Sequence, residues 1–181
     1  MSVTVIDDFL KDPIRYREEA LKLEYKTFEF PECTFHGIAL GGPSLQAVHR
    51  LVERFQNFNP TLTFFRKSPK GQVEPHFIHS DIDMGKWSAV LYLNPNPPAE
   101  DGTSFWTHQA TGAFGSEVPH ERSDEGREPH KYFRLRETVQ AKFNRIVVFP
   151  SAYFHSRSIH DNWGDGNEAR LTQVTFGEFK Q

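Results

Sequence analysis

The sequence predicts a mainly β protein, an antiparallel sandwich or jelly roll with helices packed on one side. Three observations carry that expectation. Two amphipathic stretches in the first third give way, from Pro60 onward, to short apolar runs of strand length. Clusters of Pro, Asn and Gly divide those runs, at "SPKG", "NPNPPAEDG" and "DNWGDGN". Finally, 181 residues suffice for one sizeable core and are short for two, with 17 Phe, 5 Tyr and 3 Trp available to fill it. The expected organisation is therefore a single domain over 1–181, with a helical support at 1–59 and a β core at 60–181.

Val3, Val5 and Ile6 suggest a short opening strand, and Asp12-Pro13 has the form of a helix N-cap followed by its first residue. Leu10, Ile14, Leu21 and Tyr25 then fall near one helical face. Residues 26–43 look irregular. Ser44 could cap a second helix, whose Leu45, Val48, Val52 and Phe55 make an apolar stripe. The strand-like runs follow: "TLTFF" at 61–65, "HFIHSD" at 76–81, "WSAVLYL" at 87–93, "TSFW" at 103–106, "RIVVF" at 145–149 and "RLTQVTF" at 170–176. Residues 107–144 form an insert too long for a hairpin loop, a length often found in lids and substrate-binding elements.

Composition narrows the function classes. Cys33 is the only cysteine, so a metal would be held by nitrogen and oxygen ligands and no intramolecular disulfide can form. The formal charge is −3, and the six acidic and six basic residues between Glu117 and Lys142 cancel, so no basic field marks a nucleic-acid partner. The start "MSVTVIDDFLKDP" lacks the basic and apolar regions of a signal peptide, and no later run reaches membrane-span length. A soluble, cytoplasmic protein is expected.

The segment most suggestive of chemistry is "HFIHSDIDMGKWSAVLYLN", residues 76–94. Positions two apart on a strand point to one side, so His79 and Asp81 could aim at a common point. His155, after the strand-like "RIVVF", could add a third ligand. Two histidines and one carboxylate on one face of an octahedral metal characterise non-haem Fe(II) oxygenases. The competing explanation is that His-x-Asp arises by chance among nine histidines and merely solvates a turn.

The order of further motifs weighs against chance. "HSD" is followed by "VLYLN" ending at Asn94, "DGTSFW" with Gly102 and Phe105, "RIVVFPS", His155, and "ARLTQVTF" with Arg170. In these six features residues 75–177 resemble the 2-oxoglutarate- and Fe(II)-dependent dioxygenases, particularly their prolyl-hydroxylase-like branch. The resemblance implies a double-stranded β-helix, or jelly roll, and an enzyme that couples oxidative decarboxylation of 2-oxoglutarate to hydroxylation of a second substrate. By that resemblance His79, Asp81 and His155 bind Fe(II), and Arg170 and Tyr92 meet the far carboxylate of 2-oxoglutarate. Thr172 and Val174, sharing a strand face with Arg170, line the pocket. O2 is the other cosubstrate, ascorbate a supporting reductant, and a peptidyl or amino-acid carbon such as proline the favoured target, with small molecules open.

Two features depart from the family pattern. Its arginine commonly follows the distal histidine by about nine to eleven positions, whereas Arg170 lies fifteen after His155. Arg157 is the competitor, although Arg170 opens an alternating strand as the family's arginine does. Asp101 stands where the family has a turn glycine, which a residue tolerant of left-handed backbone would explain. Among the remaining candidates, Asp83 could compete with Asp81, and His76 is expected to support the site or face solvent. His160 belongs to a loop, and His108, His120 and His130 to solvated positions of the insert. Trp87 and Phe105 read as core, Trp106 as core or substrate wall, and Asn94 as a strand end or site residue. Rival functions are a catalytically inactive jelly-roll binding module and a metal-dependent hydrolase using the same ligands.

Overall fold

The computed structural model describes residues 3–29, 34–41, 44–72, 78–116, 129–159 and 161–179. Among them the chain forms β1 (Thr4–Ile6), α1 (Pro13–Leu21), β2 (Lys26–Glu29), β3 (Thr34–Ala39), α2 (Ser44–Arg54), β4 (Phe58–Ser68), β5 (Trp87–Tyr92), β6 (Gly102–His108), β7 (Phe133–Gln140), β8 (Ile146–Pro150), β9 (His155–Arg157) and β10 (Arg170–Phe179). A seven-stranded sheet in the order β1-β8-β5-β10-β4-β3-β2 faces a three-stranded sheet in the order β7-β6-β9. All the pairings are antiparallel, and the result is the expected mainly β jelly roll.

Alternation along the large sheet builds two separate interiors. On β5, β8 and β10 the set Ala89, Leu91, Ile146, Val148 and Leu171 packs with Phe65 and with Tyr16, Ala20, Ala47 and Leu51 of the helices. Each fully buried aliphatic side chain of this kind contributes roughly 1.5–3 kcal/mol. The opposite set, Tyr92, Val147 and Phe149, faces the small sheet and meets Phe105 of β6. A buried polar chain ties helix to sheet: the Tyr16 hydroxyl donates to Gln173 Oε1 at 2.7 Å, and Gln173 Nε2 donates to Thr63 Oγ1 at 3.0 Å. The helices thus take one face of the large sheet and leave the other to the small sheet.

Several expectations change. Residues 26–43 hold two strands, β2 and β3, which extend the large sheet instead of forming irregular chain. Their alternation is broken by Gly37, whose φ of 67° admits a kink where a Cβ would strike the carbonyl oxygen of Lys67. Asp12 does cap α1, accepting from the Arg15 N–H at 3.2 Å, but the buried face is Tyr16 and Ala20 while Ile14 is exposed. On α2 the buried face is Ala47, Val48 and Leu51, with Val52 exposed; the helix begins at Ser44, and the side chains of Ser44 and Leu45 lie outside the described residues. Leu10, Leu21 and Tyr25 of the expected α1 stripe and Val48 and Phe55 of the α2 stripe do pack into the core, joined by Tyr16, Ala20, Ala47 and Leu51, while Ile14 and Val52 face outward.

The supposed insert at 107–144 shrinks at both ends. Thr107 and His108 complete β6, and Phe133–Gln140 is a strand whose burial is confined to Phe133 and, in part, Val139. As the outer strand of the small sheet it carries Arg134, Arg136 and Glu137 outward, so charge concealed its alternation. "HFIHSD" is not a strand where it is described; only His79 forms an isolated antiparallel bridge, to His155.

Asn144, after β7, adopts φ 63°, and its side chain clasps the approach to α1: Leu10 N–H donates to Oδ1 at 2.8 Å and Nδ2 donates to Leu10 O at 3.0 Å. Asn144→Ala should therefore lower stability in urea denaturation by about 2–4 kcal/mol, through two lost buried hydrogen bonds and a strained backbone. Asn144→Gly should recover only the roughly 1 kcal/mol due to backbone strain.

Candidate functional site

The connection between β4 and β5 and the short strand β9 bring the expected site residues together. His79 and His155 pair through their backbones, with N–H···O distances of 3.0 Å and 2.9 Å in the two directions. Their rings lie side by side, centroids 4.3 Å apart. Just past the bridge, the Asp81 N–H donates to Ser151 O at 2.8 Å, which turns its carboxylate back toward both rings. Asp81 Oδ1 lies 3.3 Å from His79 Nε2, and Oδ2 lies 3.1 Å from His155 Nε2. One ligand atom from each of the three residues falls within 4.8 Å of the others. The convergence is thus made by a bridge and a turn, not by the two-residue strand parity expected from sequence.

The hydrogen-bond pattern of the group is one that could hold a cation. His155 Nδ1 is 2.8 Å from the carbonyl oxygen of Tyr153, an acceptor that requires a proton on Nδ1. Its Nε2 faces a second acceptor, Asp81. Acceptors at both nitrogens suit an imidazolium or an imidazole whose Nε2 binds a metal, with the carbonyl fixing the tautomer. Burial pushes the Asp81 carboxyl up, but the His79 and His155 charges and their hydrogen bonds outweigh it and hold the group well below the usual carboxylate range. Phe149 closes the inner side, its ring 4.8 Å from that of His155.

The other candidates belong to β5, β9 and β10. Tyr92, Thr172 and Arg66 form one cross-strand row over β5, β10 and β4. The Tyr92 hydroxyl is 2.6 Å from Thr103 Oγ1, and burial, its largest influence, pushes the phenol up to about 12, so it remains protonated at neutral pH. Val174 continues the same face of β10 opposite Val90. Arg170 opens β10 beside Ser68 and is buried, with Nε 2.9 Å from each oxygen of Asp101. Arg157, opposite Thr103, donates from Nη2 to Asn162 Oδ1 at 2.7 Å.

Two site residues were underestimated from sequence. Asp101 does not have positive φ, so left-handed tolerance is not its role; its carboxylate is the partner of Arg170. Asn94 ends its strand and reaches β10: Oδ1 accepts from the Leu171 N–H at 2.6 Å, while Nδ2 donates to Ala169 O at 2.9 Å. The available signal was an amide and a carboxylate flanking the Pro-rich turn between them. Asp83 is exposed and takes no part in the three-residue group. His108 is half-buried at the end of β6, its ring 5.2 Å from that of Phe133, and not solvated as expected. Trp106 packs against the cluster of Ile78, Phe133 and Phe154 and donates from Nε1 to Ser156 Oγ at 3.0 Å, while Trp87 packs edge-on against Phe179. His76, His120 and His160, and the side chain of His130, lie outside the described residues.

The chain has the jelly-roll fold seen in 2-oxoglutarate- and Fe(II)-dependent oxygenases, as its motif order anticipated. SnoK, a non-haem alpha-ketoglutarate-dependent carbocyclase from nogalamycin biosynthesis, is similar with a TM-score of 0.64 and 12% identity over 97% of this chain and 79% of that one. HygX from Streptomyces hygroscopicus, with nickel, 2-oxoglutarate and hygromycin B bound, is similar with a TM-score of 0.58 and 15% identity over 97% and 82%. AviO1 from Streptomyces viridochromogenes gives 0.56 and 13% over 96% and 87%. By sequence, the chain belongs to the family of unknown function DUF6445, whose model matches residues 62–176. No curated protein matches it by sequence. Among the described residues no helix is long and apolar enough to cross a membrane.

A calorimetric titration with Zn(II) should detect one binding site per chain, weakened by about 100-fold or more in Asp81→Ala. Because metal competes with protons for imidazole nitrogen, affinity should fall as the solution is acidified. Asp81, held low by its neighbours, should add no separate acid limb until well below the usual carboxylate range.

Proposed function

We propose that the protein is an Fe(II)- and 2-oxoglutarate-dependent oxygenase that converts 2-oxoglutarate to succinate and CO2 while oxidising a second substrate. The observation that carries this reading is the convergence of His79, Asp81 and His155 in a jelly roll that also buries Arg170 at the start of a central strand. The donor set fits the metal: two imidazole nitrogens and one carboxylate from one side, with no thiolate, match a non-haem iron centre with open positions. Bound there, Fe(II) supplies the activation of O2 that drives both oxidations.

This chain's residues supply position and environment. His79 Nε2, one Asp81 oxygen and His155 Nε2 would hold the metal, and the Tyr153 carbonyl keeps the His155 proton on Nδ1. Arg170 would take the far carboxylate of 2-oxoglutarate, because a guanidinium stays charged when buried and offers paired donors. The Tyr92 phenol would add a donor, Thr172 and Val174 would line the space between, and Phe149 and Phe105 exclude water. We further propose hydroxylation as the outcome, and a peptidyl or amino-acid carbon as one target class. A second class is a natural-product-sized molecule, supported by the descriptions of SnoK as a carbocyclase and of HygX bound to hygromycin B.

The test is succinate formation with Fe(II), ascorbate and 2-oxoglutarate, first alone and then with candidate substrates. Turnover should fall to below about one-hundredth in His79→Ala and Asp81→Ala; undiminished turnover would exclude the ligand assignment. Zinc-supported hydrolysis independent of 2-oxoglutarate would favour the hydrolase, in which Arg170 has no role. Failure to bind Fe(II) would favour a binding module.

A further inference from the structure

Arg170 is engaged by a carboxylate of its own chain, in a pair whose side chains are only 9% and 2% exposed. Asp101 is immobilised from several directions. Its Oδ1 also accepts the Gly102 N–H at 2.8 Å, its own N–H donates to Pro98 O at 3.0 Å, and its carbonyl accepts the Ala141 N–H at 2.7 Å. Gly102 in turn presses on β7 so closely that a Cβ would collide with the carbonyl oxygen of Val139. On the other partner, Asn94 grips the backbone on both sides of Arg170, through Ala169 and Leu171. Both ends of the ion pair are therefore pinned to sheet backbone.

A guanidinium presents a carboxylate with two edges, one from the side through Nε and one at the tip through its two Nη nitrogens. Asp101 occupies Nε with both oxygens at 2.9 Å, and among the described residues neither Nη meets an acceptor. We propose that Asp101 is a positioning residue that confines Arg170 to end-on recognition and thereby sets the length of 2-oxo diacid the site accepts. The proposal rests on the oxygenase reading above. With the keto end anchored at the His79–Asp81–His155 group and the far carboxylate at a fixed guanidinium tip, the span between them is constant. A diacid one methylene longer crowds the tip, and one shorter leaves donors unpaired. Charge balance supports the same conclusion: Arg170 is already neutralised, so directed hydrogen bonds rather than attraction to an uncompensated cation decide what fits.

The experiment titrates the Zn(II)-loaded protein, in which no turnover occurs, with 2-oxoglutarate, 2-oxoadipate, oxaloacetate and 2-oxobutyrate by calorimetry. Wild type should bind 2-oxoglutarate at least ~10-fold more tightly than 2-oxoadipate, a discrimination in the range one methylene can supply. In Asp101→Asn, whose neutral amide no longer fixes the guanidinium, the ratio should fall to within about threefold. An unchanged ratio in the folded variant overturns the proposal. Where Asp101→Asn does not fold, Asp101→Glu carries the test: it keeps the pair, pushes the tip inward and should shift preference toward the shorter oxaloacetate, and an unaltered order overturns the proposal. The control is 2-oxobutyrate, which lacks the far carboxylate. Wild-type binding of 2-oxoglutarate no tighter than 2-oxobutyrate overturns the Arg170 reading together with this one, whereas preference for 2-oxoglutarate with an unchanged length ratio overturns the role of Asp101 alone.

Discussion

The candidate site depends on one antiparallel bridge, the reciprocal backbone pair between His79 and His155. Two backbone hydrogen bonds contribute only about 1 kcal/mol each in net terms, so apolar contacts must hold the bridge in place. Ile78 and Phe154, the residues beside the two histidines, are buried in one cluster with Phe133. This cluster fixes the otherwise irregular connection before β5 against β9, and only then can Asp81 turn its carboxylate between the rings. The cost of placing three polar ligand groups together is offset locally: each Asp81 oxygen meets an imidazole nitrogen, and His155 meets a carbonyl.

The same division of labour runs through the large sheet. On β10, Leu171 and Gln173 serve the helix side, while Arg170, Thr172 and Val174 serve the enclosed side. Helix packing therefore stabilises the strand without consuming the face on which chemistry would occur. The enclosed face is graded along its length. Arg170 and Asp101 lie at one end, followed by the Tyr92–Thr172–Arg66 row and then Val90 and Val174. A dicarboxylate with its polar far end at Arg170 and its keto end at the metal would follow that gradient.

Much of this was legible in the sequence because it rests on local alternation and motif order. β5, β8 and β10 carry apolar runs bounded by turns, and His79, Asp81 and His155, singled out by motif order, do converge. What escaped depended on tertiary neighbours. β2 and β3 are stabilised as extensions of a sheet that forms later in the chain, and β7 is an edge strand whose charges obscure its period. The helix stripes failed only at Ile14 and Val52, which are exposed, and passed over Ala20 and Ala47, whose small side chains are buried in the same core. Asp101 could be seen to replace a glycine, but its contact with Arg170 spans 69 positions and no spacing rule reveals it.

The long interval between His155 and Arg170 also acquires a physical account. If loop length set the position of the arginine, extra residues would displace it; here the register of β10 is set by pairing with β4 and β5, and by the Asn94 grip at its first turn of backbone. The additional chain is docked separately. Asn162 Nδ2 donates to Gln72 O at 2.6 Å, and the Lys70 N–H donates to Gly164 O at 2.8 Å, fastening the loop to the end of the β4 connection. The same Asn162 accepts from Arg157. The competing arginine is thus drawn to the loop, while Arg170 is directed by Asp101 at the start of a central strand. Insertion at this point lengthens the sequence interval without altering the placement of the His79–Asp81–His155 group relative to the guanidinium, because both are held by backbone and sheet hydrogen bonds and neither by the loop.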